Sequence, residues 1–91
     1  MSLSFEWDAQ KASANQRKHG VSFEEAATAF GDPLSVTIPD PDHSEDEDRF
    51  ILLGSTYRGR MVVVVHTDRG DNIRIISARR ATGTERRQYE H

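Results

Sequence analysis

The chain opens on an alternation of apolar and polar residues, Leu3-Ser4-Phe5-Glu6-Trp7. That period of two predicts a short strand or extended arm with Leu3, Phe5 and Trp7 turned inward. Asp8 then suits a helix N-cap, because its carboxylate can accept a hydrogen bond from a free amide of the first turn. A polar helix is expected to about Lys18. Lys18 and His19 fall at its electronegative end, and Gly20 suits the left-handed residue that stops it. Ser22-Phe23-Glu24-Glu25 reads as a capping box. Phe23, Ala26, Ala27 and Phe30 then recur at helical spacing on one face, and Gly31-Asp32-Pro33 ends the helix.

The second half changes period. Leu34 to Ile38 is a β-branched run that predicts a strand ended by Pro39, and a loop rich in proline and aspartate follows. Strands are expected over Arg49 to Thr56, Arg60 to Thr67 and Asn72 to Ala78. Tyr57-Arg58-Gly59 and Asp68-Arg69-Gly70-Asp71 make the turns between them. Val62 to Val65 is apolar at every position, so its strand belongs in the middle of the sheet. In the last strand, strict alternation puts Arg79 with Ile73, Ile75 and Ser77, and Arg74 and Arg80 on the other face. Thr82-Gly83-Thr84-Glu85 is a second capping box, opening a short helix to about Glu90. The pattern is an α+β domain spanning residues 1–91: two N-terminal helices packed on an antiparallel β-sheet, with a short C-terminal helix.

Composition narrows the function. The chain has no cysteine, which excludes a disulfide scaffold or a thiolate zinc site. The longest apolar run, Met61 to Val65, is far short of the roughly 20 residues that cross a bilayer, and no basic-then-apolar stretch opens the chain. A cytoplasmic protein without membrane partners is expected. The net charge of −3 argues against general adhesion to nucleic acid. Its distribution is uneven, however. Asp40 to Asp48 is acidic, whereas Arg58 to Arg87 is rich in arginine, which suggests one anion-seeking face.

The candidate chemistry lies in that basic half and at the end of the first helix. Arg49, Arg60, Arg74, Arg79 and Arg80 sit near strand ends, and the planar guanidinium fork matches phosphate oxygens. His19 is either a general acid or base or simply a favoured cation at a helix C-terminus. Glu47 and Arg49, two apart, share one strand face as an ion pair, or Glu47 serves as a base. Asp40, Asp42, His43 and Glu45 lack the regular spacing and turn glycine of a calcium loop, so neither metal nor other cofactor is expected. Tyr89 and Trp7 could stack on bases or be buried.

Beyond these single residues, whole segments resemble one family. Phe5-Glu6-Trp7-Asp8 with Lys11 and Asn15, Lys18-His19-Gly20-Val21-Ser22-Phe23-Glu24-Glu25-Ala26, then Phe30, Asp32 and Pro33, are similar to the BrnT toxins. So are Glu47-Asp48-Arg49, the run Arg74-Ile75-Ile76-Ser77-Ala78-Arg79, and Glu85-Arg86 with Tyr89. The resemblance covers essentially the whole chain. It implies a RelE-like fold, a ribonuclease that blocks translation, and a DNA-binding antitoxin of ribbon-helix-helix type, through which the pair would repress its own operon. It also implies site roles. Arg60 and Arg79 would grip and neutralise the scissile phosphate of an RNA substrate, without metal. His19 or Glu47 would accept the proton, and Lys18, Arg49 and Arg80 would hold the RNA backbone. The competing expectation is a non-catalytic protein- or DNA-binding module, such as an inactive toxin homologue. Glu24 and Glu25 near the start of the second helix weigh against a DNA-reading version.

Overall fold

The computed structural model describes residues 3–42 and 48–90. Five strands form one sheet in the order β1-β5-β4-β3-β2. They are β1 Ser4–Glu6, β2 Val36–Pro39, β3 Arg49–Ser55, β4 Met61–Arg69 and β5 Asn72–Arg80. Helices α1 (Ala9–His19) and α2 (Phe23–Thr28), the latter continued by a 3-10 turn at Ala29–Gly31, connect β1 to β2. Helix α3 (Gly83–Glu90) follows β5.

The expected antiparallel sheet is corrected at one edge, where β1 runs parallel to β5. These strands lie at opposite ends of the chain, so no tight hairpin forces them antiparallel. The valine run is in β4, the middle strand, as its two-sided apolar character requires. Phe5 packs against Phe30 with ring centroids 5.1 Å apart, and Trp7 against Phe23 at 5.9 Å. Leu3, expected inward with them, is 56% exposed because it precedes the paired strand.

Both N-terminal helices cover one face of the sheet. Val21, Phe23, Ala26 and Ala29 from the helical layer close over Leu52, Val62, Val64, Ile75 and Ala78 from the strands. Burying Phe23 and the buried valine, leucine and isoleucine side chains contributes about 2 kcal/mol each. A buried side chain fixes α1 on this layer. Asn15 donates to the carbonyls of Val21 (3.0 Å) and Ala78 (2.8 Å), and accepts from the Ala78 amide (3.1 Å). It thereby joins α1, the turn after it and β5 while leaving no buried polar atom unpaired. The caps form as the sequence suggests: Asp8 accepts from the Lys11 amide, and Gly20 ends α1 at φ 71°.

One irregularity decides which way the arginines face. The β4–β5 register shifts between Val65 and His66, pairing Val65 with Ser77 but His66 with Ile75. The extra residue, Ile76, resets the alternation of β5. Ile75 and Ala78 therefore both enter the core, and Arg79, opposite Val63, turns to the other face. Arg74, opposite Thr67, shares that other face. The strict alternation that grouped Arg79 with Ile75, and Arg74 with Arg80, is corrected by this bulge.

His66 occupies the helix-covered face, between Phe30 (4.8 Å, edge-on) and Phe50 (5.9 Å, stacked). Burial pushes its pKa below the ordinary histidine value. The fold thus holds the neutral imidazole, while the unfolded chain takes up a proton first. Stability is expected to fall as pH drops through about 6.5, above the range in which carboxylates titrate. Urea unfolding of the wild type and His66→Phe at pH 7.5 and 5.5 checks this: the loss on acidification should shrink in the variant, and an equal loss in both would contradict it.

Candidate active site

The basic residues gather where β4 begins and β5 ends, since Val62 lies opposite Arg80 and Val63 opposite Arg79. Strand β3 ends at the same edge, with Ser55 opposite Met61. The sheet nevertheless divides this edge into two sides.

On the helix-covered side, Arg60 is held by Glu25. Its Nε donates to Glu25 Oε2 at 2.8 Å and its Nη2 to Oε1, a two-pronged pair, while Nη2 also donates to the Gly20 carbonyl at 3.1 Å. The Glu25 side chain is 5% exposed. It also accepts from the Thr56 hydroxyl at 2.8 Å and has Arg58 Nη1 at 3.7 Å. The hydrogen bonds from Arg60, aided by Thr56, hold the Glu25 carboxyl below its usual range despite burial. A carboxylate held so firmly ionised is a poor proton acceptor. Glu25 was expected to complete the capping box of α2. Ser22 does accept from the Glu25 amide at 3.0 Å, but the Glu25 carboxylate serves Arg60 instead.

His19 is the last residue of α1, adjacent to the Gly20 that receives Arg60. It is half-buried, with exposed Lys18 before it. Arg80, opposite core-facing Val62, lies on this same side and is exposed. Lys18, His19, Arg60 and Arg80 are therefore brought to one side of one sheet edge.

Arg79 stands on the other side. Its Nη1 and Nη2 meet Glu85 Oε1 and Oε2, both at 2.8 Å, and Nη1 reaches the Arg80 carbonyl at 3.2 Å. Here the capping box is reciprocal: Thr82 N donates to Glu85 Oε1 at 2.8 Å and Glu85 N to Thr82 Oγ1 at 3.2 Å. Arg79 first, and the Thr82 amide with it, bring the Glu85 carboxyl down to about 2 against the effect of burial. The pair roots α3 beside an apolar cleft of about 210 Å³ formed by Val36, Ile38, Ile51, Leu53 and Val63. The far end of α3 is tied by Tyr89, whose hydroxyl donates to Asp32 Oδ2 at 2.5 Å. Val36 and Ile38 remain 44% and 51% exposed. Arg49 begins β3 on this open face, opposite Thr67 and at the end remote from Arg79.

The two arginines expected to share a phosphate thus lie on opposite faces, and Arg49 is apart from both. Glu47 lies outside the described residues, as do His43 and Glu45 of the acidic loop. Asp40 accepts from the Asp42 amide at 3.0 Å in a local turn. Among the described residues no three histidine, aspartate or glutamate side chains converge as a metal site, and no helix is long and apolar enough to cross a membrane. Of the aromatic residues considered for stacking, Trp7 packs edge-on against Phe23 and the Tyr89 hydroxyl bonds Asp32. Sequence reasoning missed Glu25 as the partner of Arg60. The two are 35 residues apart, and no local spacing marks the pair.

Comparison with known proteins agrees with this architecture. A family model described as the ribonuclease toxin BrnT of type II toxin–antitoxin systems matches residues 7–85. Among solved structures, the crystal structure of the Brucella abortus ribonuclease toxin BrnT matches with a TM-score of 0.69. The match covers 89% of this chain and 99% of that one at 20% identity, a likeness of fold. No curated protein matches the chain.

The Glu25–Arg60 pair makes a direct prediction. Arg60→Met should leave Glu25 buried and uncompensated, lowering stability by roughly 3 kcal/mol at pH 7. That deficit should shrink at pH 4, because burial without the Arg60 partner favours the protonated form of Glu25, and Glu25→Gln should recover part of it. Thermal unfolding at both pH values checks this; a deficit independent of pH, unrelieved by Glu25→Gln, would contradict it.

Proposed function

We propose that this chain, which belongs to the BrnT family of ribonuclease toxins of type II toxin–antitoxin systems, cleaves RNA at the helix-covered side of the basic sheet edge. The observation that carries this reading is the bond from Arg60 Nη2 to the Gly20 carbonyl, which fixes a cation on the residue that follows His19. Cleavage through the ribose 2′-hydroxyl needs a proton acceptor and a cation where charge develops on the phosphate. In this reading His19 accepts the 2′-hydroxyl proton, the 2′-oxygen attacks phosphorus to form the cyclic phosphate, and the P–O5′ bond breaks as the 5′-oxygen takes a proton from water. Glu25 and Thr56 hold Arg60 for the phosphate, with Nη1 left to reach it. Lys18 and Arg80 steady the backbone on either side. Glu25 is excluded as the base by its own ion pair, and Glu47 stays the second candidate. These groups suffice without a metal ion.

Arg79 takes another role here. Its bond to Glu85 anchors α3, and the guanidinium faces away from His19. The open apolar face beside it is the surface we assign to the antitoxin, because Val36 and Ile38 stay exposed there and line an apolar cleft with Ile51, Leu53 and Val63. We read the fold as RelE-like and the antitoxin as a ribbon-helix-helix protein, which alone would bring the pair to operator DNA. Cleavage of messenger RNA in the cytoplasm would then arrest translation.

Cleavage of a defined single-stranded RNA by the purified protein tests this assignment. Activity should survive EDTA and fall at least about tenfold in Arg60→Lys and in His19→Ala, since losing a positioned charged phosphate contact or the base costs more than ~1.4 kcal/mol. Arg79→Lys, which keeps a charge for Glu85, should stay within about threefold. Loss in Arg79→Lys with Arg60→Lys unaffected would move the site to the open face. No cleavage by the wild type would favour a binding module.

A further inference from the structure

We propose that Tyr57 is a stacking platform for a nucleobase of single-stranded RNA, presented by the β3–β4 turn beside Arg58 and Arg60. The inference rests on the RNA site described above and adds a base-binding position to it. Its ground is a contrast among the aromatic rings. Phe23 is fully buried, Phe5 packs on Phe30, Phe50 stacks on His66, Trp7 meets Phe23, and Tyr89 is bonded to Asp32. Tyr57 alone of the chain's tyrosines, tryptophan and phenylalanines is largely in solvent, at 75% exposure.

The backbone beneath that ring is fixed. Thr56 N donates to the Arg60 carbonyl at 2.9 Å and Gly59 N to the Thr56 carbonyl at 2.9 Å, closing the turn with Gly59 at φ 76°. The Thr56 hydroxyl accepts from the amides of Arg58 (3.2 Å) and Arg60 (3.4 Å) and donates to Glu25. The Tyr57 amide itself donates to Thr28 Oγ1 at 3.0 Å, so α2 holds the turn at two points. A ring on so rigid a base loses little freedom when a ligand stacks on it. Its chain neighbour Arg58 is 56% exposed and lies 3.7 Å from Glu25, and Arg60 carries the fork already described. A flat apolar ring flanked by guanidinium groups is the pairing that single-stranded nucleic acid uses, the ring for the base and the cations for its phosphates. The same juxtaposition favours RNA over an apolar protein partner, whose exposed surface is better matched by the open face.

Affinity for a fluorescein-labelled, single-stranded 2′-O-methyl RNA, which lacks the attacking hydroxyl, tests the platform. Tyr57→Ala should weaken binding about tenfold and Tyr57→Phe less than about twofold. In the wild type, an abasic site at one nucleotide should cost a similar factor, and in Tyr57→Ala that same abasic site should cost nothing further. Equal affinity of the wild type and Tyr57→Ala, or the same abasic cost in both, would overturn the stacking role while leaving the ribonuclease reading intact. A wild type that neither binds nor cleaves RNA would overturn both.

Discussion

A carboxylate buried beneath a helix is costly unless cations and donors surround it, and Glu25 is the point at which this protein meets that cost. Arg60 supplies two donors, Thr56 a third, and Arg58 a further charge nearby. Satisfying Glu25 has three structural consequences. It fixes the β3–β4 turn against α2, it draws Arg60 over the end of α1, and it leaves Arg60 Nη2 on the Gly20 carbonyl. The same contacts that make the buried charge tolerable place a guanidinium on the carbonyl of Gly20, the residue after His19. In the proposed site, pairing for stability and positioning for chemistry would be one arrangement, since a cation fixed in advance loses no reorganisation energy when charge develops on a phosphate.

A second pair, Arg79 with Glu85, works on the opposite side of the sheet and to a different end. The bulge at Val65/His66 turns Arg79 away from the helical layer, and the capping box of α3 gives it a partner. With Tyr89 on Asp32, this pair holds α3 at both ends, beside a strip of aliphatic side chains left open. The sheet therefore separates a polar, cation-rich edge from an apolar face. In this division the chain has two surfaces of unlike chemistry, which is what the proposed RNA cleavage and an antitoxin partner would each require.

Much of the architecture was legible because it depends on local pattern. Capping residues Asp8, Gly20, Ser22 and Thr82, and the valine run of β4, mark helix ends and the middle strand with no knowledge of the rest of the chain. What escaped depends on long-range geometry. Nothing in Leu3-Ser4-Phe5-Glu6-Trp7 shows that this strand joins the sheet parallel to β5. Nor does the spacing of Arg74 and Arg79 show the extra residue that brings them to one face. The candidate site divides in the same way. His19 and a set of strand-end arginines could be named from residue type and position, and Lys18 and Arg60 from the family resemblance, but Glu25 looked like half of a helix cap, and only the fold sets it against Arg60. Tyr57 looked like a turn residue, and its isolation from the core emerges only once every other ring is placed.

The central claim is that Glu25 acts through Arg60, and a double-mutant cycle on RNA cleavage measures it most directly. The rates (kcat/KM) of the wild type, Glu25→Gln, Arg60→Lys and the double variant would be compared at one pH, with folding verified for each. If Glu25 serves to hold the guanidinium, the double variant should be hardly worse than the poorer single variant, with a coupling above about 1 kcal/mol. Strict additivity of the two losses would contradict the account, because it would mean that the carboxylate and the guanidinium contribute independently.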